Sequence, residues 1–503
     1  MSENIERTEF PETPEKKPFL KCIPVMSLPA IIALIAMVVV FVLTFYTSFY
    51  TFNMLKGLWH SNYVGNKNYS MLFEVDRLTR VLGDTLTVKG LILVICGVLS
   101  AALCAFYRLF KKPGVVLFLA CLWLIPVCLP TAFMSMETRS LLHYMGTIKE
   151  HSAQLFGTGL QTIGMFCFTG GIFTWLNLRK TGKAGKAPFT GLLTAVLIFL
   201  LGNLTTSGLY YGFGTIQSKP FDSIIPYTSD VLGKNFYTAN ASSVIKIAFQ
   251  ILFGLIPAVF LCRMSNQKGL TEETPKALWW LFPSAMVGIL LVLFTGCKGS
   301  VEYPSVSVNS LIVSIASGAF GGLVAWSLIH LMKHSSPVLF GFIAVILSAA
   351  MSCINMFYLL YIHYVSHNDL LPQVLCSAFD WRVILLIITL AMTTRSHKMI
   401  SSGFLALSMC LLIAAFAWGE YSNQVHMLNR STATIPILYC QTWSITKRLS
   451  SMSCVPGLLM VVPPLLMGLG SALLMRKAFQ KAEPRNGSSV LLSEPEAHSE
   501  IQA

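Results

Sequence analysis

The chain has 503 residues, of which 54% are hydrophobic and only 12% charged, with a formal net charge of +14. Soluble globular domains carry about 25% charged residues, so this composition excludes an ordinary soluble protein and points to a bilayer. The positive charge would also fit nucleic acid, but in a membrane chain it reads as topology, because basic residues concentrate in loops that stay in the cytoplasm.

Residues 1–23 are polar and rich in Glu, Pro and Lys, a composition expected of a disordered tail. Apolar runs of about 20 residues then recur, the length that crosses ~30 Å of hydrocarbon. They lie at 27–50, 86–106, 114–134, 155–177, 189–212, 244–262, 277–296, 308–330, 337–362, 383–392 (extended backward toward 373), 400–419 and 452–475. That makes twelve. Asp380 and Arg382 interrupt the tenth, so eleven stays open. The first run is too long for a signal-peptide core and no small-residue cleavage site follows, so it is read as a retained helix. After it, Tyr69 to Leu82 has apolar positions at 71, 72, 75, 78, 81 and 82, a helical spacing. Either a short helix on the outer surface or an ordinary capping loop would give it.

Two stretches look like copies. Asp84-Thr85-Leu86 opens an apolar run that ends in Arg108, Lys111, Lys112 and Pro113. Asn309-Ser310-Leu311, 225 positions later, opens another that ends in His330, Lys333 and Pro337. A long internal repeat in a membrane chain implies a body built from two related halves.

The loops placed inside are 107–113, 178–188, 263–276, 331–336 and 393–399; they hold 13 Lys or Arg in 45 residues. The outside loops hold 13 in 149 residues, a density about threefold lower, in the direction the charge rule requires. Both tails carry Lys or Arg beside the membrane, so both termini are placed in the cytoplasm, which twelve spans allow. The expected fold class is therefore an all-α integral membrane protein with about 12 transmembrane helices in two parallel six-helix halves. Its parts are a tail at 1–23, a first half at 24–263, a cytoplasmic linker at 264–276, a second half at 277–480 and a tail at 481–503.

Ionisable residues within spans are few. Lys89 and Lys246 are expected near outer helix ends, where they can snorkel. Asp380 and Arg382 sit near an outer boundary and can pair. No midplane proton relay is visible. Uncharged polar residues are better candidates for a neutral solute: Asn203, Thr206, Gln250 and Asn355 inside runs, with Trp418 and Glu420 at an outer end. Amides and hydroxyls orient a polyol and aromatic faces stack on it; equally, such residues glue helices together. Thirteen cysteines are scattered without metal-ligand spacing and read as small buried residues. No phosphate-binding Gly-Lys loop, zinc motif or nucleophile elbow occurs, so neither an enzyme nor a cofactor or metal is expected.

Short motifs resemble the membrane subunits of binding-protein-dependent, sugar-type ABC importers. Val64-Gly65-Asn66-Lys67-Asn68-Tyr69 is similar to that family's outer segment, and Asp84-Thr85-Leu86 to the opening of a core helix. Leu124-Ile125-Pro126 through Leu129-Pro130 resembles its Pro-rich exit. In the second half, Asn309-Ser310-Leu311, Trp418-Gly419-Glu420-Tyr421 and Pro463-Pro464 resemble the partner subunit. The resemblance implies a fused permease in the plasma (bacterial inner) membrane, moving a sugar-like solute by alternating access. Its implied partners are a separate ATPase subunit and an extracytoplasmic solute-binding protein, with no nucleic acid. The family's cytoplasmic coupling loop is degenerate in both halves. Arg179, Lys180 and Gly182 stand at the first position for contact with an ATPase, Arg395 and Lys398 at the second. The basic residues also serve the topology signal alone. A loop of six or seven residues barely makes one helical turn with its caps. The alternatives are a secondary transporter and a transport-inactive scaffold or sensor derived from a permease.

Overall fold

The computed structural model describes residues 23–53, 57–74, 77–130, 133–134, 150–202, 303–350, 370–378, 381–396, 402–420, 434–439 and 451–480, with scattered positions between 241 and 260. Helix α1 (Ile23–Thr47) leads into an antiparallel hairpin of β1 (Tyr50–Asn53) and β2 (Gly57–Tyr63). Then come α2 (Lys67–Glu74), α3 (Arg77–Phe106), a 3-10 turn at Tyr107–Leu109, α4 (Pro113–Leu122) and α5 (Leu124–Val127). Helices α6 (Glu150–Thr181) and α7 (Ala187–Gly202) follow. Further along are α8 (Tyr303–His334), α9 (Pro337–Ala350), α10 (Leu371–Ser377), α11 (Trp381–Ser396), α12 (Ser402–Trp418) and α13 (Ser451–Gln480).

The molecule is overwhelmingly helical. Among the described residues, four helices are long and apolar enough to cross a membrane: Ser27–Thr47, Lys89–Leu109, Val306–His334 and Gly457–Gln480. Helix occurs within every expected apolar range except 277–296, which lies outside the described residues together with both tails and the linker 264–276. Aromatic pairing supports the hairpin, the one sheet among the described residues. Tyr50 and Tyr63 face each other across the hairpin with ring centroids 5.3 Å apart, the kind of cross-strand pair that stabilises a two-stranded ribbon.

The expected surface helix over Tyr69–Leu82 divides in two, since α2 ends at Glu74 and α3 already begins at Arg77. With that early start, Lys89 lies three turns inside α3, at the first position of the apolar span Lys89–Leu109, and is buried.

The four long helices order themselves by burial. The most apolar window of α1 is 11% buried, that of α3 28%, that of α13 33% and that of α8 78%. The two repeated segments, in α3 and α8, therefore occupy different places: one peripheral, the other central. Small residues let α8 into the middle. A Cβ on Gly318 would fall 2.6 Å from the Cys410 carbonyl oxygen and 2.8 Å from the Ala414 Cβ, so only glycine permits α8 and α12 to approach this closely. Ser314 and Ser317 donate from the same face to the carbonyls of Ala414 (2.7 Å) and Val374 (2.9 Å). The helices α6 and α11 are buried on all sides through 164–172 and 382–394. Their hydroxyls Thr169 and Thr389 meet at 3.5 Å, 220 positions apart in the chain.

Candidate functional site

Prolines create the site. Pro126 has no N–H to give Leu122 and its ring crowds that carbonyl, so a helix begun at Pro113 cannot run straight through. The chain tightens instead. Trp123 N–H bonds to the Ala120 oxygen (3.2 Å), Cys128 N–H to Ile125 (3.1 Å) and Leu129 N–H to Pro126 (3.2 Å), all three-residue closures. Pro130 then ends the segment. The carbonyls of Val127 and Leu129, at the end of this segment, take donors from other helices. Arg382 Nη1 donates to the Val127 oxygen at 3.0 Å, and Gln161 Nε2 donates to the Leu129 oxygen at 2.5 Å. Gln161 comes from α6 and Arg382 from the first turn of α11, so the broken segment is gripped from two sides.

The Arg382 guanidinium is 5% exposed and lies 4.1 Å from the centroid of the Phe416 ring. This cation–aromatic contact is most favourable where water is excluded. The sequence placed Arg382 near an outer boundary with Asp380 as its partner. Asp380 lies outside the described residues, and the observed acceptor is a carbonyl 255 positions away. No local pattern carries that pairing.

Beside this grip, Trp418 is buried and its indole N–H donates to the Leu459 oxygen at 2.9 Å. Gly419 lets the end of α12 press on Pro130, where a Cβ would come within 2.7 Å of the ring. Phe133 and Tyr439 pack at 5.5 Å. Glu420, half-buried, follows just beyond. The structure thus brings together Arg382, Gln161, Phe416 and Trp418 around the end of α5. Of the expected pathway residues, Trp418 and Glu420 belong here. Asn203, Thr206, Gln250 and Asn355 lie outside the described residues. Thr162, Thr169 and Thr174 bond back to carbonyls one turn earlier in α6, which satisfies them within their own helix.

Three residues of the Val64–Tyr69 motif have defined jobs. Gly65 takes a left-handed conformation (φ 59°) that turns the chain out of β2. The buried Asn68 donates through Nδ2 to the oxygens of Ser48 (2.8 Å) and Tyr50 (3.2 Å). The Tyr69 hydroxyl meets that of Ser48 at 2.6 Å, and burial pushes its phenol above the ordinary tyrosine value against the opposing pull of that hydrogen bond.

At the opposite, basic end, the connection between α6 and α7 is a closed turn. Gly182, at φ 70°, bonds through its N–H to the Leu178 oxygen at 2.9 Å, ending α6. Asn177 Nδ2 reaches the oxygens of Lys183 (2.8 Å) and Ala184 (3.2 Å), and Thr181 bridges Asn177 and Lys183. Lys180 projects into solvent, while Arg179 folds back over Trp175 at 5.4 Å. In the second corresponding turn the backbone of Arg395 completes α11 and Lys398 lies outside the described residues. Among the described residues, no cluster of His, Cys, Asp and Glu could hold a metal.

No protein-family model, curated protein or solved structure matches this chain.

Proposed function

We propose that this chain is a multi-pass permease of the plasma membrane that moves a polar, sugar-like solute by alternating access of two six-helix halves. The observation that carries the reading is the broken segment Trp123–Pro130, whose carbonyls are held by Arg382 and Gln161. Interrupted helices with side-chain-held backbone near the meeting of two bundles are where transporters bind substrate. A guanidinium, an amide and two aromatic faces are the groups that orient and stack a polyol. In the conformation described, each group gives an N–H to backbone, which solute would take over as the segment shifts. The Thr169–Thr389 contact, 220 positions apart against a repeat spacing of 225, supports related halves meeting along α6 and α11.

Partners follow from the resemblance: a separate ATPase on the inside and a solute-binding protein outside. A second reading has its own observation. The α6–α7 connection is a five-residue turn stitched by Asn177 and Thr181, leaving no helix to seat in an ATPase, which favours a secondary transporter or a scaffold that has lost coupling.

The test is purification in mild detergent with its co-purifying proteins, followed by uptake in proteoliposomes. Solute uptake that requires ATP and a co-purified ATPase supports the importer. Uptake that survives ATP depletion and collapses with the ion gradient assigns a secondary transporter. No uptake of any polyol with a correctly inserted chain refutes transport.

A further inference from the structure

The basic end of the bundle holds a second built feature, between α4 and α13. Arg476 lies over the Phe118 ring, 5.1 Å from its centroid, and its Nε is buried with no hydrogen-bond acceptor among the described residues. A buried guanidinium N–H without an acceptor is a donor awaiting one. Phe118 itself is 39% exposed on the outer surface of α4. Along α13, the residues Leu466, Leu469 and Leu473 are exposed at helical spacing, and the next position on that stripe is the exposed Lys477. Across the groove, the exposed Lys112 precedes Pro113 at the start of α4, where its charge and the helix dipole also favour an anion.

From this juxtaposition we infer that the groove between α4 and α13 binds the phosphate of an anionic phospholipid, with Arg476 and Lys477 on the headgroup and an acyl chain along the leucine stripe. The apolar stripe running directly into the two cations selects a lipid over free phosphate, because a free ion would leave that surface unused. Basic pockets between membrane helices on the cytoplasmic side take such headgroups. The inference rests on the reading that these helices span a bilayer.

The test uses full-length protein in nanodiscs of phosphatidylglycerol and phosphatidylcholine, with retained lipid counted by native mass spectrometry after extraction. The wild type is expected to keep one phosphatidylglycerol that the neutral lipid does not replace. Loss of one charge in Arg476→Ala should lower that occupancy roughly fivefold, the ratio that about 1 kcal/mol per basic residue gives. Lys477→Ala, at an exposed position, gives the same readout without disturbing packing. Arg108→Ala, on the neighbouring exposed turn, should leave occupancy unchanged. Equal occupancy in all variants, equal loss in Arg108→Ala, or displacement by inorganic phosphate alone would overturn the site. Alkaline carbonate extraction of each variant separates the two ideas. A chain that stays in the membrane while lipid binding ignores Arg476 defeats only the lipid site, and a chain released as a soluble protein defeats both.

Discussion

Replacing Gly318 by alanine tests the packing of α8 at its tightest point. The added Cβ would stand 2.6 Å from the Cys410 oxygen and 2.8 Å from the Ala414 Cβ. Neither is the far end of a flexible side chain. Ordinary contact begins near 3.4 Å, so α8 and α12 must part locally by roughly 0.8 Å. One turn away, Ser314 donates to the Ala414 oxygen over 2.7 Å. The same displacement stretches that bond to the limit of hydrogen bonding. Overpacking of this kind costs about 1–3 kcal/mol, and a weakened buried hydrogen bond adds about 1 kcal/mol. The expected loss is therefore about 2–4 kcal/mol, read as a lower melting temperature by size-exclusion of detergent-solubilised protein after heating. Gly97→Ala is the control. Its Cβ meets nothing within 4 Å on the outer side of α3, and alanine there raises helix propensity by up to about 1 kcal/mol. A Gly318→Ala protein as stable as the wild type, or one no worse than Gly97→Ala, would refute the close approach of α8 and α12.

Two further outcomes are expected. Arg382→Met strips the Val127 carbonyl of its donor, at about 1–3 kcal/mol, but also removes a buried charge whose desolvation opposes folding. Net stability should change by less than ~2 kcal/mol while proteoliposome uptake falls at least about tenfold; undiminished uptake would take Arg382 out of the pathway. Tyr69 gives a pH signature. Its folded phenol is raised above 10.0 by burial, so the stabilisation is complete below the ordinary tyrosine value and is lost as pH climbs through the raised one. Protection from hydrogen exchange over 48–74, relative to the intrinsic rate at each pH, should fall above about pH 10 in the wild type but not in Tyr69→Phe. Equal alkaline loosening in Tyr69→Phe, or its abolition by Tyr50→Phe instead, would place the titration elsewhere.

The sequence announced helices through their length and apolarity, but 114–134 reads there as one continuous run, with no break at Pro126. It did not announce which helix stands in the middle. Segments that look like copies, in α3 and α8, were given equal weight, yet one is peripheral and the other central. The distinguishing signal was already in the composition. Mean hydropathy falls from 2.9 in α1 through 2.4 in α3 and 2.1 in α13 to 1.8 in α8, while burial rises in the same order. A helix facing lipid must be apolar all round its exposed arc, whereas one facing protein can carry glycine and serine for close packing. Ser314, Ser317 and Gly318 in α8 are that signature. Arg382 was visible only as an anomaly, because a guanidinium does not name an acceptor 255 positions away. The hairpin was missed for a different reason. Its strands are four and seven residues long, below the window in which alternation stands out from aromatic helix ends.

That 255-residue separation also sets an order of events during biogenesis. When a ribosome has delivered the segment at 123–130, the donor for Val127 has not been made. At elongation speeds of about 5–20 residues per second, it arrives roughly 10–50 s later. Until then the Val127 carbonyl lacks the guanidinium that holds it in the finished fold. Final closure of the N-terminal bundle is therefore post-translational relative to its own insertion, and a chain truncated before residue 381 would be a standing client for insertases and membrane proteases.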